Sequence, residues 1–127
     1  MSDTTTQGVR ITVKSVFLPD RSSEEDSYFF FAYRVAITNV GEATVQLVSR
    51  HWVITDGDGK TEDVKGPGVI GEQPLLRPGQ SFEYTSFCPL STPVGTMHGT
   101  FQMVGAEGEP FDAIISPFSL AVPGIVN

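Results

Sequence analysis

The sequence predicts an all-β protein, a seven-stranded, two-sheet β-sandwich. Three observations carry this. Helical periodicity is almost absent; nine prolines and thirteen glycines punctuate the 127 residues; and short β-branched and aromatic runs lie between them in period-two alternation.

The first predicted strand spans residues 9–17. Val9, Ile11, Val13 and Phe17 share one parity, and Arg10, Thr12 and Lys14 share the other, the pattern of a half-buried strand. Residues 1–8 are polar and are expected to be a flexible N-terminus. A polar loop, 19–26, carries Glu24, Glu25 and Asp26. The second strand covers 28–39. Phe29, Phe31, Tyr33, Val35 and Ile37 form its core face. The opposite face holds Tyr28 and Phe30 beside Arg34, an unusual composition for a solvated surface. The third strand covers 44–55, and its alternation slips near Ser49-Arg50-His51, which predicts a β-bulge there. Asp56-Gly57-Asp58-Gly59 signals a hairpin turn into a short strand, 60–64. Leu75-Leu76 form an apolar pair before the turn Arg77-Pro78-Gly79-Gln80. Strand five spans 81–88 and is ended by Pro89; strand six spans 95–104; strand seven spans 111–118. With no repeat and no linker, residues 1–127 read as one domain.

The chain carries 15 acidic and 8 basic residues, a net charge of −7. Nucleic-acid binding rests on phosphate neutralisation by a basic face, so this balance argues against it. One cysteine, Cys88, excludes an internal disulfide framework and points to a reducing compartment. The polar start is unlike a secretory signal, and no apolar run reaches the roughly 20 residues of a membrane span. A cytoplasmic protein with no membrane partner is expected.

Gly66-Pro67-Gly68-Val69-Ile70-Gly71 matches G-x-G-x-x-G. A dinucleotide site needs a helix after these glycines, whereas Pro67, Pro74 and Pro78 remove amide donors and forbid one. Two readings stay open. In one, Gly66, Gly68 and Gly71 with Lys65 form a backbone nest for a pyrophosphate or nucleotide. In the other, the glycines supply positive φ for a structured connection. The acidic loops offer a weak divalent-cation alternative, although Asp56-Gly57-Asp58-Gly59-Lys60 departs from a calcium loop at Lys60. His51, His98 and Cys88 show no convergent catalytic or metal-binding spacing, so no metal centre, cofactor or enzymatic activity is expected. Tyr, Trp and Arg are enriched in interaction hot spots, which makes Tyr28, Phe30, Arg50 and Trp52 candidate partner-binding residues if the strand-three slip turns Trp52 outward. The alternative is that Trp52 is the central core tryptophan.

Four motifs in order are similar to the ApaG family: the run from Leu47 to Gly57 containing Ser49-Arg50-His51-Trp52, then Gly66 to Pro74, then Tyr84-Thr85-Ser86, then Thr92 to Gly99. The resemblance extends from about Val9 to Asn127. It implies a fibronectin type III-like, immunoglobulin-like sandwich. It also implies an indirect association with cobalt resistance and magnesium efflux, no established enzymatic activity, and use as a protein interaction module. The expected function is therefore a non-enzymatic module with an unknown protein partner. The chain itself is expected to be a monomer or a weak dimer through sandwich edge strands.

Overall fold

The structure is a computed structural model, and residues 1–124 are described; positions 125–127, the end of the expected domain, lie outside them. Nine strands run in the order β1 (Ser2–Thr6), β2 (Val9–Phe17), β3 (Phe29–Asn39), β4 (Val45–Asp56), β5 (Thr61–Pro67), β6 (Leu75–Leu76), β7 (Ser81–Leu90), β8 (Val94–Val104) and β9 (Pro110–Ala121). One sheet has the order β1-β2-β3-β7; the other runs β5-β4-β8-β9, with β6 paired to β4. All the pairings are antiparallel. No helix among the described residues is long and apolar enough to cross a membrane.

The two-sheet sandwich is as predicted, but the described residues form nine strands rather than seven. Residues 1–8 are not a flexible tail. Ser2 to Thr6 pair with Val13 to Val9 as an edge strand. The cause is the turn Gln7-Gly8, where both residues have positive φ (45° and 81°), the geometry of a tight two-residue hairpin. The β-branched run Thr4-Thr5-Thr6 then extends readily. The second addition, β6, is the Leu75-Leu76 pair, which lies opposite Gln46 and Val45. Strand β7 also continues through Pro89. It is an edge strand, bonded only to β3, so Pro89 forfeits no ladder bond on its open side.

The core lies between the sheets. Val9, Ile11 and Val13 of β2 and Phe31, Val35 and Ile37 of β3 face Leu47 and Trp52 of β4, Met97 and Phe101 of β8, and Ile115 and Leu120 of β9. Ser2 and Asn39 are the buried polar residues among those described, and Asn39 is satisfied. Its Nδ2 donates to the carbonyls of Ala43 (2.8 Å) and Leu76 (2.9 Å), and its Oδ1 accepts from the Gly41 amide (3.0 Å).

The two sides of the sandwich differ. On one, β1 and β2 lie against β9: the Thr4 hydroxyl bonds that of Ser116, the Ser15 hydroxyl donates to the Ser119 carbonyl (2.7 Å), and the Ile114 amide donates to the Thr6 hydroxyl (3.2 Å). On the other side, the edge strands β5 and β7 are not bonded to each other. That side and the outer face of β2-β3-β7 carry the candidate residues.

Candidate functional site

The predicted bulge is present in β4, one residue earlier than the slip in alternation indicates. The β4–β8 register jumps between Leu47 and Ser49, leaving Val48 as the extra residue. Two consequences follow. Val45 and Leu47 face the core before the bulge, and Trp52 faces it afterwards. The Val48 carbonyl also turns toward the Gly-rich segment, accepting from the Gly68 amide (2.8 Å) and the Gln73 side-chain amide (2.9 Å).

Trp52 is therefore not a surface residue. It is 2 % exposed, edge-on to Tyr33 (5.3 Å), Phe101 (6.1 Å) and Phe118 (6.0 Å). The outward orientation needed for partner binding is corrected: the bulge shifts parity so that Trp52 points into the sandwich.

The Gly-rich segment is closed by its own bonds. Val69 and Glu72 exchange reciprocal backbone bonds of 2.8 Å, a two-residue hairpin with Ile70 (φ 43°) and Gly71 (φ 80°) at its tip. Val69 plugs the core, whereas Ile70 is 61 % exposed. Arg50 crosses from β4, and its Nη1 donates to the carbonyls of Pro67 and Gly68, both at 2.9 Å. Its guanidinium lies flat on Gly66, where a Cβ would stand 2.9–3.0 Å from it. Lys65 is paired opposite His51 and is exposed.

These positions decide what the loop can do chemically. A nest binds an anion by converging free amides. Here Pro67 has none, and the amides of Gly68, Val69 and Glu72 are bonded internally. Lys65, Gly66, Gly68 and Gly71 do not converge: Lys65 is exposed on β5, Gly66 is covered by Arg50, Gly68 is buried, and Gly71 stands at the tip. The loop presents the Pro67 and Gly68 carbonyls to Arg50, and the amides of Gly68, Val69 and Glu72 are already bonded. A β-branched residue at positive φ is strained by about 1–2 kcal/mol, so Ile70→Asn, which creates an Asn-Gly turn, is expected to raise stability by about 1 kcal/mol. Denaturant unfolding checks this.

Tyr28 and Phe30 do come together, on the outer face of β3, in a ladder that includes two residues not anticipated. Tyr28 stacks on Phe30 (5.9 Å) and Phe30 on Phe87 of β7 (5.6 Å), with the Arg21 guanidinium 5.9 Å from the Phe30 ring centre and 5.7 Å from that of Phe87. Tyr28 is 43 % and Phe87 48 % exposed, and Val16 extends the patch through its register with Ala32 and Phe87. Phe87 had a sequence signal: it shares the parity of Glu83 and Thr85, an aromatic on a polar face. Arg21 had none, because the 3-10 turn Pro19–Arg21 that positions it is non-local to the ladder. Charged groups of both signs lie farther along the same face. Lys14 stands directly opposite Arg34, an unfavourable like-charge pair that Glu83 relieves at 3.4 Å from Arg34.

The remaining titratable groups are dispersed. His51 pairs with Asp63 at 2.9 Å, and His98 is exposed on β8. No three His, Cys, Asp or Glu side chains come together among the described residues. Cys88 is buried, and burial, with a smaller contribution from the Glu62 charge, pushes its thiol from 9.0 up to about 11. The fold thus favours the neutral thiol. Its contribution to stability is complete below pH 9.0 and is lost as pH rises to about 11. Cys88 is expected to resist a thiol reagent at neutral pH in the folded protein and to react once denaturant unfolds it.

Comparison with known proteins places this geometry. The family model of the ApaG domain matches residues 19–105, more than half of the chain. The chain belongs to the ApaG family. Among ApaG relatives, it is 54 % identical over 127 residues to Protein ApaG of Anaeromyxobacter dehalogenans strain 2CP-C and 53 % identical over 127 residues to that of Pseudomonas paraeruginosa, covering 100 % of each protein in both cases. The crystal structure of a Bordetella pertussis protein described as ApaA superposes with a TM-score of 0.90 at 48 % identity, over 92 % of this chain and 95 % of that one. The ApaG motifs quoted above map onto the bulge, the Arg50 crossing, the Gly-rich hairpin, and strands β7 and β8.

Proposed function

We propose that this ApaG-family chain is a non-catalytic cytoplasmic binding module that recognises a protein partner through the outer face of β2, β3 and β7. One observation carries the reading: the exposed Tyr28–Phe30–Phe87 stack under Arg21. Stacked aromatics left in solvent are costly to a monomer and characteristic of binding surfaces. Lys14 and Arg21 put positive charge on this face, and Arg34 is paired with Glu83, in a chain of net charge −7. The fitting partner is a segment with apolar anchors and carboxylates, whose association weakens as salt rises. A non-catalytic reading fits the lack, among the described residues, of any hydrogen bond joining Cys88, His51 and His98 to one another. Under this reading, the cobalt and magnesium traits implied by the family act through the partner.

The test compares proteins cross-linked to the wild type with those cross-linked to Tyr28→Ser/Phe87→Ser. Both are first shown to unfold at similar denaturant concentration. Loss of a specific partner in the double variant, with amide shifts on β3 and β7 when that partner is added back, is the expected result. An unchanged set of cross-linked proteins overturns the reading.

A further inference from the structure

Strand β7 has one unpaired side, and its register fixes which residues face that side. In β3, the Phe30 carbonyl accepts from the Leu18 amide (2.9 Å) and the Phe30 amide donates to the Ser22 hydroxyl (2.9 Å), so Phe30 turns its backbone groups toward the β2 side. At the other end of β3, the Asn39 amide donates to the Gln80 carbonyl (2.9 Å), so the odd-numbered residues face β7. Antiparallel alternation then bonds Phe31 to Cys88 and Tyr33 to Ser86. Glu83, Thr85 and Phe87 are left to turn N–H and C=O outward, and these groups have no other backbone partner among the described residues. Pro89 falls on the same side and ends the row, because it has no N–H.

The other edges are protected. On the far side of the sandwich, the Ile114 amide of β9 is taken by the Thr6 hydroxyl of β1. In β5, the Lys60 carbonyl accepts from Asp56 and the Gly68 amide donates to Val48, so the even-numbered residues face β4. Asp63, Lys65 and Pro67 therefore face outward, two charges and a missing amide, features that discourage strand pairing. The open row of β7 instead centres on Thr85 and Phe87, residues suited to a sheet.

Inside this edge, between β7 and β5, lies a cleft of about 160 Å³, lined in part by Tyr33, Trp52, Val64, Cys88 and Met97. Sites for small molecules run to about 300–1,000 Å³, so this cleft is of side-chain size, and its walls suit an aliphatic group. On the outer face, Phe87 is half exposed in the aromatic stack beside Arg21. No carboxylate lies within 4 Å of the Arg21 guanidinium among the described residues.

We propose that β7 accepts an extended segment of the partner as an added strand. The proposal rests on the protein-binding reading above and specifies its mode. Main-chain bonds to Glu83, Thr85 and Phe87 hold the segment, and side-chain alternation sorts its residues. One parity drops an aliphatic side chain into the cleft, and the other faces Phe87, with a carboxylate toward Arg21. A second copy of this chain is the poorer occupant, since each copy carries a net charge of −7.

The experiment adds capped heptapeptides, alternating leucine with threonine and carrying aspartate at the centre, to the full chain and follows amide hydrogen exchange. At peptide about tenfold above its dissociation constant, exchange at Glu83, Thr85 and Phe87 is expected to slow roughly tenfold, with Asp63 and Lys65 unchanged. N-methylating alternate peptide residues is expected to abolish binding for one set and spare the other, because only one edge of an added strand meets β7. Thr85→Pro removes the central outward amide and no bond to β3, and is expected to weaken binding roughly five- to tenfold. Val64→Phe narrows the cleft from β5, leaves the β7 amides in place, and is expected to weaken binding roughly tenfold. No slowing at millimolar peptide, slowing at Asp63 and Lys65 instead, or binding kept by both methylated peptides would each overturn the proposal. So would slowing that follows protein concentration without peptide, the mark of a second copy. A cross-linked partner kept by Thr85→Pro but lost from Tyr28→Ser/Phe87→Ser overturns strand addition and leaves the aromatic-face reading standing. A set of cross-linked proteins unchanged in both variants overturns both.

Discussion

Trp52→Ala is expected to lower the unfolding free energy by about 3–5 kcal/mol, the range for removing a fully buried large aromatic. Typical domains are stable by about 5–15 kcal/mol, so the loss is a substantial fraction of the whole. For a chain of this size it corresponds to a fall in thermal midpoint of roughly 10–20 °C. The reason is position. Trp52 is edge-on to Tyr33 of one sheet and to Phe101 and Phe118 of the other, so its removal opens a cavity across the interface between the sheets. Trp52→Phe is expected to cost much less, because it keeps an aromatic edge in the same place. Denaturant unfolding of the two variants decides the matter: a loss below about 1 kcal/mol for Trp52→Ala, the level of an ordinary surface change, would contradict the buried position.

Gly68→Ala is expected to cost about 2–4 kcal/mol, combining positive-φ strain with loss of the hydrogen bonds that hold the hairpin. At Gly68, φ is 58°, and an added Cβ would stand 2.2 Å from the Glu72 carbonyl oxygen, a distance no side chain can tolerate. Backbone must move, and the bonds from Gly68 to Val48 and between Val69 and Glu72 are the ones at risk. Gly71→Ala is the matched control. It has φ of 80° but nothing within 4 Å of the added atom. Its cost is the conformational strain alone, about 1–2 kcal/mol. Equal losses for the two variants would show that φ, rather than the close approach to Glu72, dictates glycine at 68. Gly68→Ala is also expected to release the Pro67 and Gly68 carbonyls from Arg50.

Much of the fold was legible in the sequence because period-two alternation reports burial directly. Strand β2 matches its predicted limits, and β3, β4, β8 and β9 lie within a few residues of theirs. The errors had local causes. The N-terminal strand was hidden by its polar composition, although the Gln7-Gly8 turn that returns it to β2 was present as a signal. Strand β7 passes Pro89 because an edge strand tolerates proline, and edge position is a property of the sheet rather than of the segment.

The candidate sites were less legible for the same reason. Sequence alternation places Tyr28 and Phe30 on one face, but the stack is completed by Phe87 from a strand far along the chain and by Arg21 from a preceding turn. The G-x-G-x-x-G pattern is visible in the residues, whereas the direction of its amides and carbonyls is not. Arg50 could be read as a surface cation, and only folding lays it across Gly66 with its Nη1 on the Pro67 and Gly68 carbonyls.

The amino-acid sequence by itself determined the all-β class, the two-sheet sandwich, the bulge in the strand bearing Trp52 and membership of the ApaG family. Each of these rests on local spacing or residue identity, which survive without coordinates. The tertiary structure decided the inward turn of Trp52, the sealing of the Gly-rich hairpin, and the crossing of Arg50 onto the Pro67 and Gly68 carbonyls. Those outcomes depend on which strands become neighbours and on which edges stay open. Pairing between strands distant in the chain sets both, and no local pattern encodes it.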